Sequence, residues 1–351
     1  MKEATGGKGW SGTVTLNDVA RASGVHPSTV SRALDPSQHS RVRAETRQRI
    51  IEVADSLGYR PDLVARSLQS GRTGTVGVIL ADLGNTFVTP LVHGIAASLE
   101  SAQALPTIAE TQDDHARMRN ILDHMLSRRV DGIIAVAARA ADQEALEAAA
   151  KVVPVVLASR PLEDTSLAII THDDREGGRL VAEHLYQLGH QTVAQLQGPD
   201  DVLNFPRRAE GFRAVAAARG MSEATIDDCA ERPAADEGER LMELLLDNSP
   251  QLPTAVFAHN DLMALGALSA LRQRSLRVPE DISLVGFNDL PFVRHLTPPL
   301  STVRMRILDL GKAAGDTVVR MLAGEDPTNT TLGVSLIPRG SSRRVDRPDG
   351  I

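Results

Sequence analysis

Residues 14–34 read VTLNDVARASGVHPSTVSRAL, and the fold of the front of the chain follows from them. Thr15 and Asp18 stand three apart, the spacing of a capping box with Asp in place of Glu or Gln. Leu16, Val19 and Ala20 then share one helical face. Gly24 stops this helix, because glycine tolerates the left-handed turn that few residues enter. Pro27, suited to a first helical turn, opens a second helix through Val30 and Leu34. Ala20 is small where the two helices cross, and Val25 and Val30 fill the core between them. The exposed face of the second helix is Pro27, Ser28, Thr29, Ser31 and Arg32. Short hydroxyls and one arginine suit close approach to phosphates and base edges in a DNA major groove. A helical hairpin with an ordinary polar face is the plainer alternative, and the lack of any carboxylate on this helix weighs against it.

Outward from this stretch, a third helix is expected over about Ala44 to Leu57, with Ile50, Ile51, Val53, Ala54 and Leu57 apolar and Gly58 as its stop. Leu63 to Leu68 then form a segment of barely two turns between Pro61 and Gly71. It is marginal as an isolated helix, because nucleation is costly. From residue 75 the pattern becomes strand–helix alternation. Val76–Leu80, Ile133–Val136, Val155–Ala158, Leu167–Ile170, Val193–Leu196, Ala255–Phe257 and Ile282–Phe287 are the apolar strand candidates. Near-continuous apolar strands between helices indicate parallel sheets covered on both faces. There are too many for one compact sheet, so two doubly wound lobes are expected.

Charge is divided in the same way. Residues 1–72 hold eleven Lys and Arg against seven Asp and Glu, a net of +4, which leaves −11 for the rest of a chain whose total is −7. A basic head on an acidic body is the asymmetry expected when only the head meets phosphate. With 42% hydrophobic and 24% charged residues the composition is globular. No apolar run approaches the ~18 residues that span a bilayer. The first twelve residues have no apolar core of a signal peptide. The single cysteine, Cys229, excludes an internal disulfide and a cysteine-rich zinc site, and a cytoplasmic location is the default. The ten histidines show no metal-ligand spacing, and no nucleophile elbow, phosphate loop or dinucleotide fingerprint is present. No cofactor and no enzymatic activity are therefore expected. Asp173 and Asp174 after His172 look like an acid/base pair in isolation, but they follow a strand and read as a helix N-terminal cap region.

The ordered phrases VTLNDVARASGVHPSTVSRAL, RVRAETRQRIIEVADSLGYRP and LVARSL, followed by RLVAEHLYQLGHQTVAQLQGP, RRAEGFRA, HNDLMALGAL, VPEDISLVGFND and TPPLSTVRM, resemble the lactose-repressor (LacI/GalR) family of bacterial transcriptional regulators. The resemblance covers about residues 13–340. It implies an α/β protein with a helix-turn-helix, three-helix DNA-binding head over 13–60 and a hinge helix or linker over 61–73. It also implies an effector-binding sensor of periplasmic-binding-protein type over 74–340, in two doubly wound parallel-sheet lobes: lobe one at about 74–171 and 304–333, lobe two at about 172–303 and 334–340. Pro27, Ser28 and Arg32 match base-reading positions. Thr15, Thr29 and Ser31 match phosphate contacts, and Arg41 matches a further DNA contact. In the hinge, Leu68 matches a leucine that wedges into the minor groove and Ala65 the small residue beside it. Asn85, Phe87, Ser159, Arg208, Asn260 and Asn288 are the implied effector-binding residues, in a cleft at the carboxyl ends of the strands.

Three departures from the family pattern matter. His26 stands where a serine usually caps the recognition helix, so the usual hydroxyl cap is missing. Ser159 and Asn288 stand where the family often has aspartates. Losing two carboxylates while keeping Arg208 points to a more positive cleft, and so to an acidic effector such as a sugar acid or other small carboxylate, with a neutral sugar as the alternative. The resulting expectation is a homodimeric repressor that reads a palindromic double-stranded operator under control of a small-molecule effector, with no membrane partner. The two other classes are a solute-binding transport protein, opposed by the basic head, and an enzyme, opposed by the lack of a nucleophile–base pair. The tail from Arg339 carries no heptad pattern and gives no support for a tail-bundled tetramer.

Overall fold

The computed structural model describes residues 14–34, 41–60 and 71–345. The chain divides into two compact units, with the boundary between Thr73 and Gly74. Ala65 and Leu68 lie outside the described residues.

The first unit holds α1 (Leu16–Ser23), α2 (Pro27–Leu34) and α3 (Ala44–Leu57). At the start of α1, the Thr15 N–H and hydroxyl both donate to the Asp18 carboxylate, at 2.9 and 2.7 Å. Gly24 takes φ 67°, and the next N–H, of Val25, returns to the Ala20 carbonyl at 3.1 Å, so the turn between α1 and α2 is closed by a backbone bond. Val19, Ala20, Val30, Ala33, Ile50 and Ala54 form the buried core of the three helices. Leu57, expected on the apolar face of α3, is exposed instead: it is the last residue of the helix, where Gly58 turns the chain away.

In the second unit the strand–helix alternation builds two six-stranded sheets. The first contains β1 (Thr75–Leu80), β2 (Leu105–Glu110), β3 (Gly132–Ala135), β4 (Val155–Ala158), β5 (Ala168–His172) and β11 (Thr330–Leu332), in the order β11-β5-β4-β3-β1-β2, all parallel. The second contains β6 (Thr192–Leu196), β7 (Ser222–Ala224), β8 (Ala255–Ala258), β9 (Ser283–Asn288), β10 (Ser301–Arg304) and β12 (Ser335–Ile337), in the order β12-β10-β9-β8-β6-β7, parallel except for β12 on β10. The helices are α4 (Val88–Ser101), α5 (His115–Ser127), α6 (Gln143–Ala150), α7 (Asp174–Gln187), α8 (Asn204–Ala218), α9 (Ala235–Asn248), α10 (Asp261–Gln273) and α11 (Ile307–Leu322). The apolar strand candidates correspond to β1, β3, β4, β5, β6, β8 and β9. β2, β7, β11 and β12, which carry no apolar run, are the sheet edges, which need not be apolar on both faces, and β10, also without a run, is interior.

The backbone passes between the two sheets three times: after β5, between β10 and α11, and between β11 and β12. The first and third passages are tied together where the Asp173 N–H donates to the Leu332 carbonyl at 3.0 Å. Helices α7 and α8 touch backbone to backbone: a Cβ on Gly211 would fall 1.9 Å from the Arg175 carbonyl oxygen. This approach brings the first turn of α7 against the side chains of α8, and it positions the buried charges of the site.

Candidate functional site

The head presents its polar face on α2. Ser28 and Arg32 are exposed, Pro27, Thr29 and Ser31 are half-buried, and Thr15 and Arg41 are exposed on neighbouring segments. His26 does cap this helix. Its Nδ1 accepts the Ser28 N–H at 3.2 Å and lies 2.8 Å from the Ser28 hydroxyl. The hydroxyl cap is missing, as the sequence indicates, and the imidazole nitrogen does the work of the serine oxygen. The Asp18 carboxyl is held below its usual range by the hydrogen bonds from Thr15, with Arg21 adding to the effect.

In the second unit a cavity of about 550 Å³ is lined by residues of both lobes. Asn85, Phe87 and Ser159 are on its wall, with Gln112, Asp113, Arg139 and Arg160 from the first sheet's loops and Glu231, Pro233 and Leu262 from the second's. Asn85 Oδ1 accepts the Phe87 N–H at 3.0 Å, so this pair is a preset turn leading into α4. Ser159 holds φ 72°, a left-handed conformation rare outside glycine, and its carbonyl accepts the Asn204 amide at 2.9 Å from the opposite lobe.

Arg208, Asn260 and Asn288 are not on that wall. Asn260 is consumed by structure: its Oδ1 caps α10 through the Met263 N–H at 2.6 Å, and its Nδ2 donates to the Pro233 carbonyl at 2.9 Å. Asn288 ends β9 at φ 123°, and the following Asp289 accepts from Arg304 at 2.7 Å and Arg339 at 2.6 Å, which fixes the turn.

The positive cleft expected from Arg208 is not there. Its Nε donates to Asp174 at 2.8 Å, with the two side chains only 5% and 1% exposed. Nη1 donates to the His259 carbonyl at 2.5 Å, and the guanidinium lies 3.7 Å from the centroid of the Phe287 ring. Asp174 is also held by Asn204 at 2.6 Å. Burial pushes the Asp174 carboxyl up, against the pull of Arg208. Of the two adjacent aspartates only Asp173 is the helix cap, through the Glu176 N–H at 2.9 Å. Beside this pair, burial and the charge of Arg208 push His172 down to about 4, so its ring is neutral.

The remaining arginines on the cavity wall are matched as well. Asp113 receives Arg160 at 2.5 Å and lies 3.3 Å from Arg139. Burial works to raise the Asp113 carboxyl, but the two guanidinium groups outweigh it and hold it below its usual range. Arg232 pairs with Asp236. Asp113, Arg139, Arg160 and Asn204 escaped the sequence reading, and Asp174 was read there only as part of a helix cap. Asp113 and Asn204 sit in or beside loops with no motif of their own, but Asp174 had a signal: a buried arginine demands a carboxylate.

Comparison with known proteins agrees with this architecture. The family described as "Bacterial regulatory proteins, lacI family" matches residues 15–62, and a "Periplasmic binding protein-like domain" matches residues 182–342. Catabolite control protein A of Priestia megaterium is 30% identical over 302 residues, spanning 86% of this chain and 90% of that one. The transcriptional repressor PurR of Mannheimia succiniciproducens is 28% identical over 341 residues, 94% of this chain and 99% of that one. Among solved structures, the lac repressor dimer bound to operator and the anti-inducer ONPF aligns with a TM-score of 0.84 and 29% identity, over 95% of this chain and 100% of that one. A complex of the regulator CelR with cellobiose aligns with a TM-score of 0.71 and 27% identity, over 94% and 100%.

Proposed function

Because this chain belongs to the lacI family of bacterial regulatory proteins, we propose that it is a repressor that reads a palindromic operator with α2 and is controlled by a small polar effector held between its sensor lobes. The observation that carries the DNA reading is the carboxylate-free α2, capped by His26 and exposing Ser28 and Arg32 within the matched region. Pro27, Ser28 and Arg32 are the base-reading residues. Thr15, Thr29, Ser31 and Arg41 contact phosphate. Ala65 and Leu68 act in the connector between the head, residues 13–60, and the sensor, 74–340. The relatives carry repressor names, which sets the enzyme reading aside.

A homodimer follows from the two-fold symmetry of such operators. The edge strand β2 supports it, because Leu105 is 72% exposed and Ile108 42% on an edge that no strand among the described residues pairs with. Among the described residues no helix is long and apolar enough to cross a membrane. A DNA partner supports a cytoplasmic location.

Asn85, Phe87 and Ser159 meet the effector in the 550 Å³ cavity, whereas Arg208, Asn260 and Asn288, off its wall, act on the effector at most through the residues they hold. With the arginines around the cavity each facing a carboxylate, an acid gains no unpaired cation, and a neutral sugar is the better fit. The relative CelR, solved with cellobiose, supports the same choice.

The test of DNA reading is fluorescence anisotropy with a duplex from the DNA upstream of the chain's own coding sequence, against a scrambled duplex. The wild type prefers the former in a salt-dependent way, and Arg32→Ala loses the preference, worth about 1–3 kcal/mol for one base contact. Equal affinity for both duplexes, or indifference to Arg32→Ala, would refute the reading. Calorimetry with cellobiose and with gluconate tests the effector class, and binding of gluconate alone would overturn the neutral-sugar reading.

A further inference from the structure

One side chain on the cavity wall reaches from one lobe to the other. Arg139 belongs to the loop after β3, in the lobe of the first sheet, and its side chain is 17% exposed. Its Nη1 donates to both oxygens of Asp201 at 2.8 Å, and its Nη2 donates to the Glu231 carbonyl at 3.2 Å. Both partners lie in loops of the other lobe, after β6 and after β7. The neighbouring Ala140 N–H also meets the Asp201 carbonyl, at 3.4 Å. Behind Arg139, within its own lobe, Asp113 lies 3.3 Å from Nε and is itself fixed by Arg160. The guanidinium therefore has an anchor on its own side and two acceptors across the gap.

We propose that Arg139, anchored on Asp113 and bound to Asp201 and the Glu231 carbonyl, is a latch that holds the sensor lobes together without effector. A fork with donors on separate edges suits this task, since it satisfies both lobes at once. Most of the side chain is out of water, so the pairing resists salt better than a surface ion pair does. Arg139 and Glu231 also line the cavity, so this lobe-to-lobe contact lies on the wall that an effector would meet. Arg139 is thus a positioning residue that sets how readily the cleft opens, whichever small molecule fills it. Its regulatory consequence rests on the cavity being the effector site, but the lobe contact itself does not.

Hydrogen exchange with mass spectrometry on the full-length, ligand-free protein tests this directly. In Arg139→Met, the segments 137–142 and 199–205 exchange about five- to tenfold faster than in wild type, while β3 and β6 keep their protection. Asp201→Ala quickens the same segments less, because the Glu231 carbonyl still holds Nη2. The double variant is no faster than Arg139→Met, because that change already removes both contacts. Unchanged exchange in Arg139→Met, effects that add in the double variant, or equal quickening in β3 and β6 would each overturn the latch. Anisotropy of the same variants on the upstream duplex separates this from the DNA reading, which survives if specific binding persists while the latch fails.

Discussion

Replacing Asp174 by Asn separates the two views of the cleft. Asparagine keeps the size of the side chain and an acceptor for Asn204, but it removes the one carboxylate bonded to the Arg208 side chain among the described residues. That guanidinium is 5% exposed and would be left as a buried charge with a backbone carbonyl and an aromatic face as its company. Breaking one side of a buried pair costs about 3–5 kcal/mol, because the remaining ion has lost its water and gained nothing in return. For a unit of this size that lowers the melting temperature of the sensor by roughly 6–20 °C. Removing both charges together, in Asp174→Asn with Arg208→Met, recovers most of the loss, since an apolar replacement of a buried pair is often neutral. Scanning calorimetry of the three variants reads both effects in the sensor transition. A single variant that loses less than about 1 kcal/mol, or a double variant that loses as much as the two single ones combined, would refute the pairing argument.

Two further outcomes follow. Burial lifts the Asp261 carboxyl to about 7, although the Thr302 hydroxyl at 2.6 Å and the Leu290 N–H at 2.8 Å pull it down. The folded state therefore holds this proton more tightly than the unfolded chain. Its contribution to stability is full at low pH and is lost as pH rises from about 4 through 7. Asp261→Asn mimics the protonated form, so its stability relative to wild type climbs over that range and then levels off, by at most roughly 4 kcal/mol. Buried His172 and His190, pushed down to about 4, act in the opposite direction, destabilising the fold as pH falls below 6.5, so the comparison is made with wild type at each pH by urea unfolding. A difference independent of pH would sink it. At the head, His26→Ala removes the cap of α2 and costs about 1 kcal/mol, whereas His26→Ser restores a hydroxyl and stays within about 0.5 kcal/mol of wild type. Circular dichroism of the head's melting checks this, and an alanine variant as stable as wild type would show that the imidazole caps nothing.

The sequence reading succeeded where burial forces one kind of residue. The core strands β1, β3, β4, β6, β8 and β9 are covered on both faces, so they must be apolar throughout and stand out as runs. The head was legible for a related reason: Thr15, Gly24 and Pro27 each do a local job that few residues can do. The edge strands failed the same test for a physical reason. β2, read as LPTIAE, has Leu105 and Ile108 exposed, so neither an unbroken apolar run nor a buried face marks it. Nothing short of the topology says that it pairs with β1.

The site failed differently, because its charges act in pairs brought together from distant parts of the chain. Arg208 and Asp174 are 34 residues apart, and only the glycine-sealed approach of α7 and α8 makes them neighbours. Read singly, Arg208 was a free cation and Asp174 a helix cap, and the difference of one carboxylate reversed the inferred chemistry of the effector. Ser159 and Asn288 were read as lost charges, but net charge in a cleft is a sum over the groups that fold into it. Asp174 enters that sum only once α7 has packed. Each buried arginine must be given its counter-ion before the charge of a buried site can be summed, because burying a guanidinium alone costs several kcal/mol.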